Sequence, residues 1–256
     1  MIALIDGRIA QAFLLILILV VVSLVTRLGS RRTLTPRKLA GLDTFDDAIK
    51  SAAQMKRPVF FCPGLGDVGS SDTLAALAVL KQVARLCAEN NVPIIVGNAD
   101  FNVQQVTEEI VEKAYKDAGK AQLYSPEMVR YISGRQFAFA AGIMGILARE
   151  RPAVNIFLGE YTAEALSISE AGRAVSPIQF AGTSNTDQLP FFVATCDYVL
   201  LGEEMYAAEA YLDKNPEKVA ALLGQDVGKF IAVLLILISA LTLTFGVEAF
   251  YDLLFM

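Results

Sequence analysis

Val59-Phe60-Phe61-Cys62-Pro63-Gly64-Leu65-Gly66-Asp67-Val68-Gly69-Ser70-Ser71-Asp72 reads as a short apolar strand, a glycine-rich turn and the start of a helix. Four apolar residues in a row suit a strand buried on both faces, and Ser70, Ser71 and Asp72 are helix N-cap candidates. The turn Gly64, Gly66, Gly69 has the spacing G-x-G-x-x-G. In a strand-turn-helix setting that spacing can aim backbone amides and a helix dipole at a phosphate. The setting departs from the dinucleotide pattern in three ways. Pro63 stiffens the strand exit, helical spacing over residues 43–55 precedes the strand, and the acid that would meet a ribose is Asp100, later than usual. Asp67 inside the turn also repels a bare phosphate.

Working outward, apolar runs ending in glycine recur along the chain. They are Pro93-Ile94-Ile95-Val96 before Gly97, Val129-Arg130-Tyr131-Ile132 before Gly134, Asn155-Ile156-Phe157-Leu158 before Gly159, Pro177-Ile178-Gln179-Phe180 before Gly182, and Tyr198-Val199-Leu200-Leu201 before Gly202. Segments of helical spacing separate them, at residues 72–89, 103–118, 136–149, 162–171 and 203–213. The alternation predicts an α/β fold: a mainly parallel, Rossmann-like sheet of about six strands with helices on both faces. A faint echo relates Leu158-Gly159-Glu160 to Leu201-Gly202-Glu203, each followed by an alanine-rich helix, and recurrent strand-to-helix chemistry explains it as well as a repeat does.

In open parallel sheets ligands bind outside the carboxyl ends of the strands. This edge collects Asp67, Asn98, Asp100, Glu160, Thr183, Asn185, Asp187, Glu203 and Glu204. Gly64, Gly66, Asp67, Gly69, Asn98, Asp100, Thr183 and Asn185 are the candidates to hold a nucleotide; Asp67, Asp100, Glu160 and Glu203 are hard oxygen donors that suit a divalent cation if their strands are neighbours. The plain alternative is that such turns use glycine for backbone reasons and polar residues for solvent. There is no histidine, which removes the commonest general base and the Ser-His and Cys-His pairs. Cys62, Cys87 and Cys196 are odd in number and widely spaced, as in reduced thiols rather than a disulfide framework. No catalytic residue is assigned, the balance is against an enzyme, and no cofactor is expected beyond the divalent cation or nucleotide already named.

The ends are of another kind. Of 256 residues 54% are hydrophobic, and the excess sits in two uncharged runs, residues 9–26 and 230–247. Each is long enough, at about 1.5 Å per residue, to match a bilayer's hydrocarbon core, and no A-x-A-like site marks the first as a signal peptide. Arg27, Arg31, Arg32, Arg37 and Lys38 follow the first run without an acid, and Lys229 abuts the second; Asp6, Glu248 and Asp252 lie on the outer flanks with Arg8. Basic residues stay inside, which predicts both termini outside and the middle in the cytoplasm. The expected division is a transmembrane helix at 1–28, a basic linker at 29–42, the α/β domain at 43–228, a second transmembrane helix at 229–247 and an interfacial tail at 248–256. Residues 43–228 hold 15 Lys and Arg against 24 Asp and Glu, a net charge of −9, so nucleic acid is not an expected partner. The expected partners are the lipid bilayer and further copies of the chain, with other membrane proteins as a further class.

Four segments carry a resemblance: Pro58-Val59-Phe60-Phe61-Cys62-Pro63-Gly64-Leu65-Gly66, Gln136-Phe137-Ala138-Phe139-Ala140-Ala141, Ala181-Gly182-Thr183 with Gln188-Leu189-Pro190-Phe191-Phe192, and Asp197-Tyr198 through Gly202-Glu203-Glu204-Met205-Tyr206-Ala207-Ala208. The chain resembles an uncharacterised family of membrane-anchored bacterial proteins classed as a domain of unknown function. The resemblance implies a shared fold and membrane attachment and supplies no activity. Together these readings point to a membrane-anchored structural or scaffolding protein that self-assembles, with a nucleotide- or metabolite-binding domain as the alternative.

Overall fold

The computed structural model describes residues 9–29, 44–202, 204–213 and 216–244. The chain divides into two compact units, one comprising Met1–Pro36 with Lys214–Met256 and the other Arg37–Asp213. The expected linker beyond residue 29, residues 245–247 of the expected second span, the whole expected exterior tail and Glu203 lie outside the described residues. In chain order the helices are α1 (Ile9–Gly29), α2 (Phe45–Met55), α3 (Ser71–Glu89), α4 (Phe101–Asp117), α5 (Gln136–Glu150), α6 (Ala165–Arg173), α7 (Leu189–Thr195), α8 (Glu204–Asp213) and α9 (Pro216–Thr244). The strands are β1 (Val59–Gly64), β2 (Ile94–Asn98), β3 (Val129–Tyr131), β4 (Val154–Glu160), β5 (Ile178–Thr183) and β6 (Tyr198–Leu201).

The strands form one six-stranded sheet in the order β3-β2-β1-β4-β5-β6, and every pairing is parallel. Strand residues alternate between two cores. Val59, Phe61, Val96, Ile156 and Leu158 face α2, α3, α4 and α8; Phe60, Cys62, Ile95 and Phe157 face α5, α6 and α7. The chain builds outward from β1 to β3 with helices on one face, then returns to β4 with helices on the other. Right-handed crossovers require this change of face where the order reverses. The reversal falls between β1 and β4, so the strand-turn-helix stretch from Val59 to Asp72 sits at the switch point of a doubly wound sheet. The expected sheet is therefore present. Among the described α-helices of this unit, α7 was not anticipated; it is seven residues long with Pro190 in its first turn.

In the other unit, residues Leu222–Thr242 of α9 are long and apolar enough to cross a membrane. Of the two expected spans, this supports the second. The first falls on α1, whose described apolar stretch, Leu15–Leu24, is shorter than the ~20 residues a spanning helix needs. The two helices pack closely where α9 has glycine. A Cβ on Gly224 would lie 2.6 Å from Thr26 Oγ1 and 3.3 Å from Val22, and one on Gly228 3.4 Å from Val22. Two glycines four apart let helix backbones approach, a small-residue contact that the span-length reading passed over.

Candidate functional site

The turn after β1 is shaped by its neighbour β4. Gly64 pairs with Glu160 after a register shift beyond Cys62, and the Leu65 amide donates to the Glu160 carbonyl at 2.8 Å. Gly64 has φ +81°, and a Cβ there would lie 2.0 Å from that same carbonyl oxygen. Across the pair Gly159 has φ +144°, with Pro63 O at 1.9 Å from its Cβ position. Both backbones thus meet at a distance only glycine allows. At Gly66 the Cβ position lies 2.3 Å from Thr73 Oγ1 and 2.8 Å from Glu160 Oε2. In a dinucleotide fold the middle glycine makes room for the pyrophosphate. Here the chain's own hydroxyl and carboxylate fill that room, and the carboxylate puts negative charge where a phosphate would come.

The other predicted residues are engaged locally. Asp67 Oδ1 accepts from the Gly69 amide at 2.8 Å, which uses one of the amides the turn could have offered a ligand. Asp100 is the N-cap of α4, accepting from Asn102 and Val103 at 2.9 and 3.0 Å. Thr183 Oγ1 accepts from the Asn185 amide, and Asn185 in turn donates to the Tyr161 carbonyl at 2.8 Å and accepts from the Asp187 amide. Asn185 therefore ties the ends of β4 and β5 together. Glu204 accepts from the Leu201 amide at 3.1 Å. Among the described residues no cluster of three or more His, Cys, Asp or Glu able to hold a metal occurs, and Glu203, the fourth carboxylate of the expected cation site, lies outside them.

The residues that do converge at the switch point are ones the sequence did not single out as a group. Asp72, 4% exposed, sits in the first turn of α3 and accepts from the Ser184 amide and hydroxyl, each at 2.9 Å, and from Tyr206 at 2.5 Å. It joins α3, the turn after β5, and α8. Beside it the N-cap residue Ser70 makes no side-chain cap bond. Thr73 Oγ1 and both amide atoms of Asn98 are buried without a hydrogen-bond partner. Asp72 and Ser70 carried a signal in the sequence as N-cap candidates and Asn98 as a strand-end residue, but the inward turn of Asp72 depends on Ser184, 112 residues away.

The thiols offer no nucleophile. Burial pushes Cys62 and Cys196 up to about 12, and Cys87 higher still, so none is a thiolate near neutral pH. Tyr161, wholly buried, is raised well above its ordinary value by the same desolvation, and its hydroxyl donates to the Cys62 carbonyl at 2.9 Å. A groove of about 340 Å³ runs between α3 and α4, lined by Val106, Ile110 and Ala114 and rimmed by Lys81, Arg85 and Lys113. It lies on the flank of the domain, away from the strand ends.

Neither a curated protein nor a solved structure matches the chain. A family does: residues 4–254, from the start of α1's unit through the α/β domain to beyond α9, match the family described as Domain of unknown function (DUF6754), and the chain belongs to that family.

Proposed function

We propose that the chain is a membrane-anchored structural protein whose α/β domain serves assembly rather than catalysis. The observation that carries this reading is the closed switch point, where Glu160 and Thr73 occupy the space beside Gly66 that a phosphate ligand would need. Anchoring is supported by the apolar stretch of α9, and the fit of Val22 and Thr26 against Gly224 supports α1 as its companion in the bilayer. The placement of basic residues supports a cytoplasmic domain with both termini outside, and the resemblance to membrane-anchored bacterial proteins supports a bacterial inner membrane. Self-association is supported by α5. Its residues 136–144 carry no charge, yet Phe137 is 83% exposed and Ala138 and Ala141 also face solvent. On an acidic domain, a face without charge is one that identical copies can share without repulsion.

A second reading has its own support. The α3 N-terminus, uncapped by Ser70, stands beside the unpartnered Thr73 Oγ1, and Asn98 ends the neighbouring β2. These groups could greet a small polar metabolite or nucleotide. A thermal-shift screen of the detergent-solubilised chain against nucleotides and divalent cations separates the two, since a specific binder raises stability by mass action. The assembly reading expects no shift; a saturable shift lost in Thr73→Val would favour the ligand.

A further inference from the structure

We propose that the N-terminal edge of the sheet, on the α5 and α6 side, is a docking surface for an anionic bilayer. The proposal rests on the reading that α9 anchors the chain. Four cations lie on the elements that end at this edge. The Arg57 guanidinium donates to the carbonyls of Arg151 at 2.5 Å, Pro152 at 3.0 Å and Val175 at 2.5 Å, which draws the turn bearing Arg151 and the end of α6, with Arg173, to one point. Lys56 and Arg151 end α2 and α5 in left-handed conformations, with φ 54° and 47°. Arg149 lies back along the outer side of α5, its Nη1 3.2 Å from the Cβ position of Gly145. Lys56, Arg149, Arg151 and Arg173 are all exposed. Of the carboxylates near this edge, Glu150 is paired with Arg130 at 2.8 Å and Asp197 accepts from the Gln179 amide at 2.8 Å.

The opposite edge collects Asp67, Asp100, Glu160, Asp187 and Glu204, so a domain of net negative charge is electrically polar. An anionic surface is repelled by such a body in every orientation but the one that presents the basic edge. The adjoining outer face of α5, with Gly145 and Ala148, brings no carboxylate that would have to be desolvated. The tether adds a constraint. Asp213 closes the domain's unit nine positions before the apolar stretch begins at Leu222, a reach of about 30 Å even if fully extended. A domain held that close always has one face toward the headgroups, and its charge selects which.

The test uses the full chain carrying Ala148→Cys with Cys196→Ser, in nanodiscs of phosphatidylcholine alone or with 30% phosphatidylglycerol. The rate of maleimide labelling at position 148 is expected to fall at least fivefold in the anionic discs. It should recover in about 1 M salt, where the screening length shrinks to about 3 Å. Adding Arg149→Gln, Arg151→Gln and Arg173→Gln should abolish the difference with the melting temperature unchanged. Equal rates in the two discs, or slowing that survives the triple substitution, overturns the docking surface while leaving the anchor intact. Failure of the chain to incorporate into either disc overturns the anchored reading beneath it.

Discussion

The hydroxyl of Tyr206 on α8 donates to the carboxylate of Asp72 in the first turn of α3 at 2.5 Å, fastening two helices that also share a core through Met205 and Ala208. A hydrogen bond to a charged group contributes about 1.5–3 kcal/mol, and the partly exposed Tyr206 belongs at the low end. Tyr206→Phe should therefore lower stability by about 1.5 kcal/mol in denaturant titration. Asp72→Ala should cost more, because it strands the Ser184 amide and hydroxyl as well.

The contact of Gly159 with Pro63 predicts a severe effect from the smallest substitution. Gly159→Ala adds a methyl 1.9 Å from a carbonyl oxygen at φ +144°, and should cost about 4 kcal/mol from strain and overpacking together. Gly119→Ala, at φ +69° with nothing within 4 Å, should cost only about 1 kcal/mol. Paired melting curves measure the contrast.

The buried thiols make stability fall in alkali. Cys62 has an ordinary value of 9.0 and is pushed up to about 12 in the fold, so above pH 9 the unfolded chain releases a proton that the native one retains. The unfolded state then binds fewer protons, and stability declines as pH rises from about 9 toward 12. Denaturant titrations at pH 7.5 and 9.5 should show the loss, and Cys62→Ala should reduce it. A native protein equally stable at both values would contradict this burial.

The glycines of α9 predict a sterically specific contact. Gly224→Ile fills the space that Thr26 Oγ1 and Val22 occupy and should separate α1 from α9. A disulfide engineered between Val22→Cys and Gly228→Cys should form readily in the parent chain and much more slowly with Gly224→Ile, as read by the rate of cross-linking.

The sheet was legible because each apolar run is followed closely by a glycine, and at Gly64, Gly159 and Gly202 a positive φ shows the backbone using it. Helix α7 was not. Seven residues around Pro190 give no periodicity to detect, and Phe192 is placed by stacking on Phe157 and an edge contact with Tyr161. Strand order was illegible for a different reason: adjacency of β1 and β4 depends on pairings such as Val59 with Val154, which no local pattern encodes. The same distance hid the use of Asp72 by Ser184. The acidic strand-end residues lie at the expected edge, but a carboxylate's local partner is decided by the nearest free amide, so the turn bond of Asp67 and the cap bond of Asp100 were not legible.

The central claim is that the anchored chain assembles with copies of itself through a surface free of charge. Native mass spectrometry of the full chain released from nanodiscs decides it. A dominant species of two or more chains, at the corresponding multiple of 27.7 kDa, is expected, reduced to the single chain by Ala141→Glu on the outer face of α5. A dominant species at 27.7 kDa in the parent protein would contradict it.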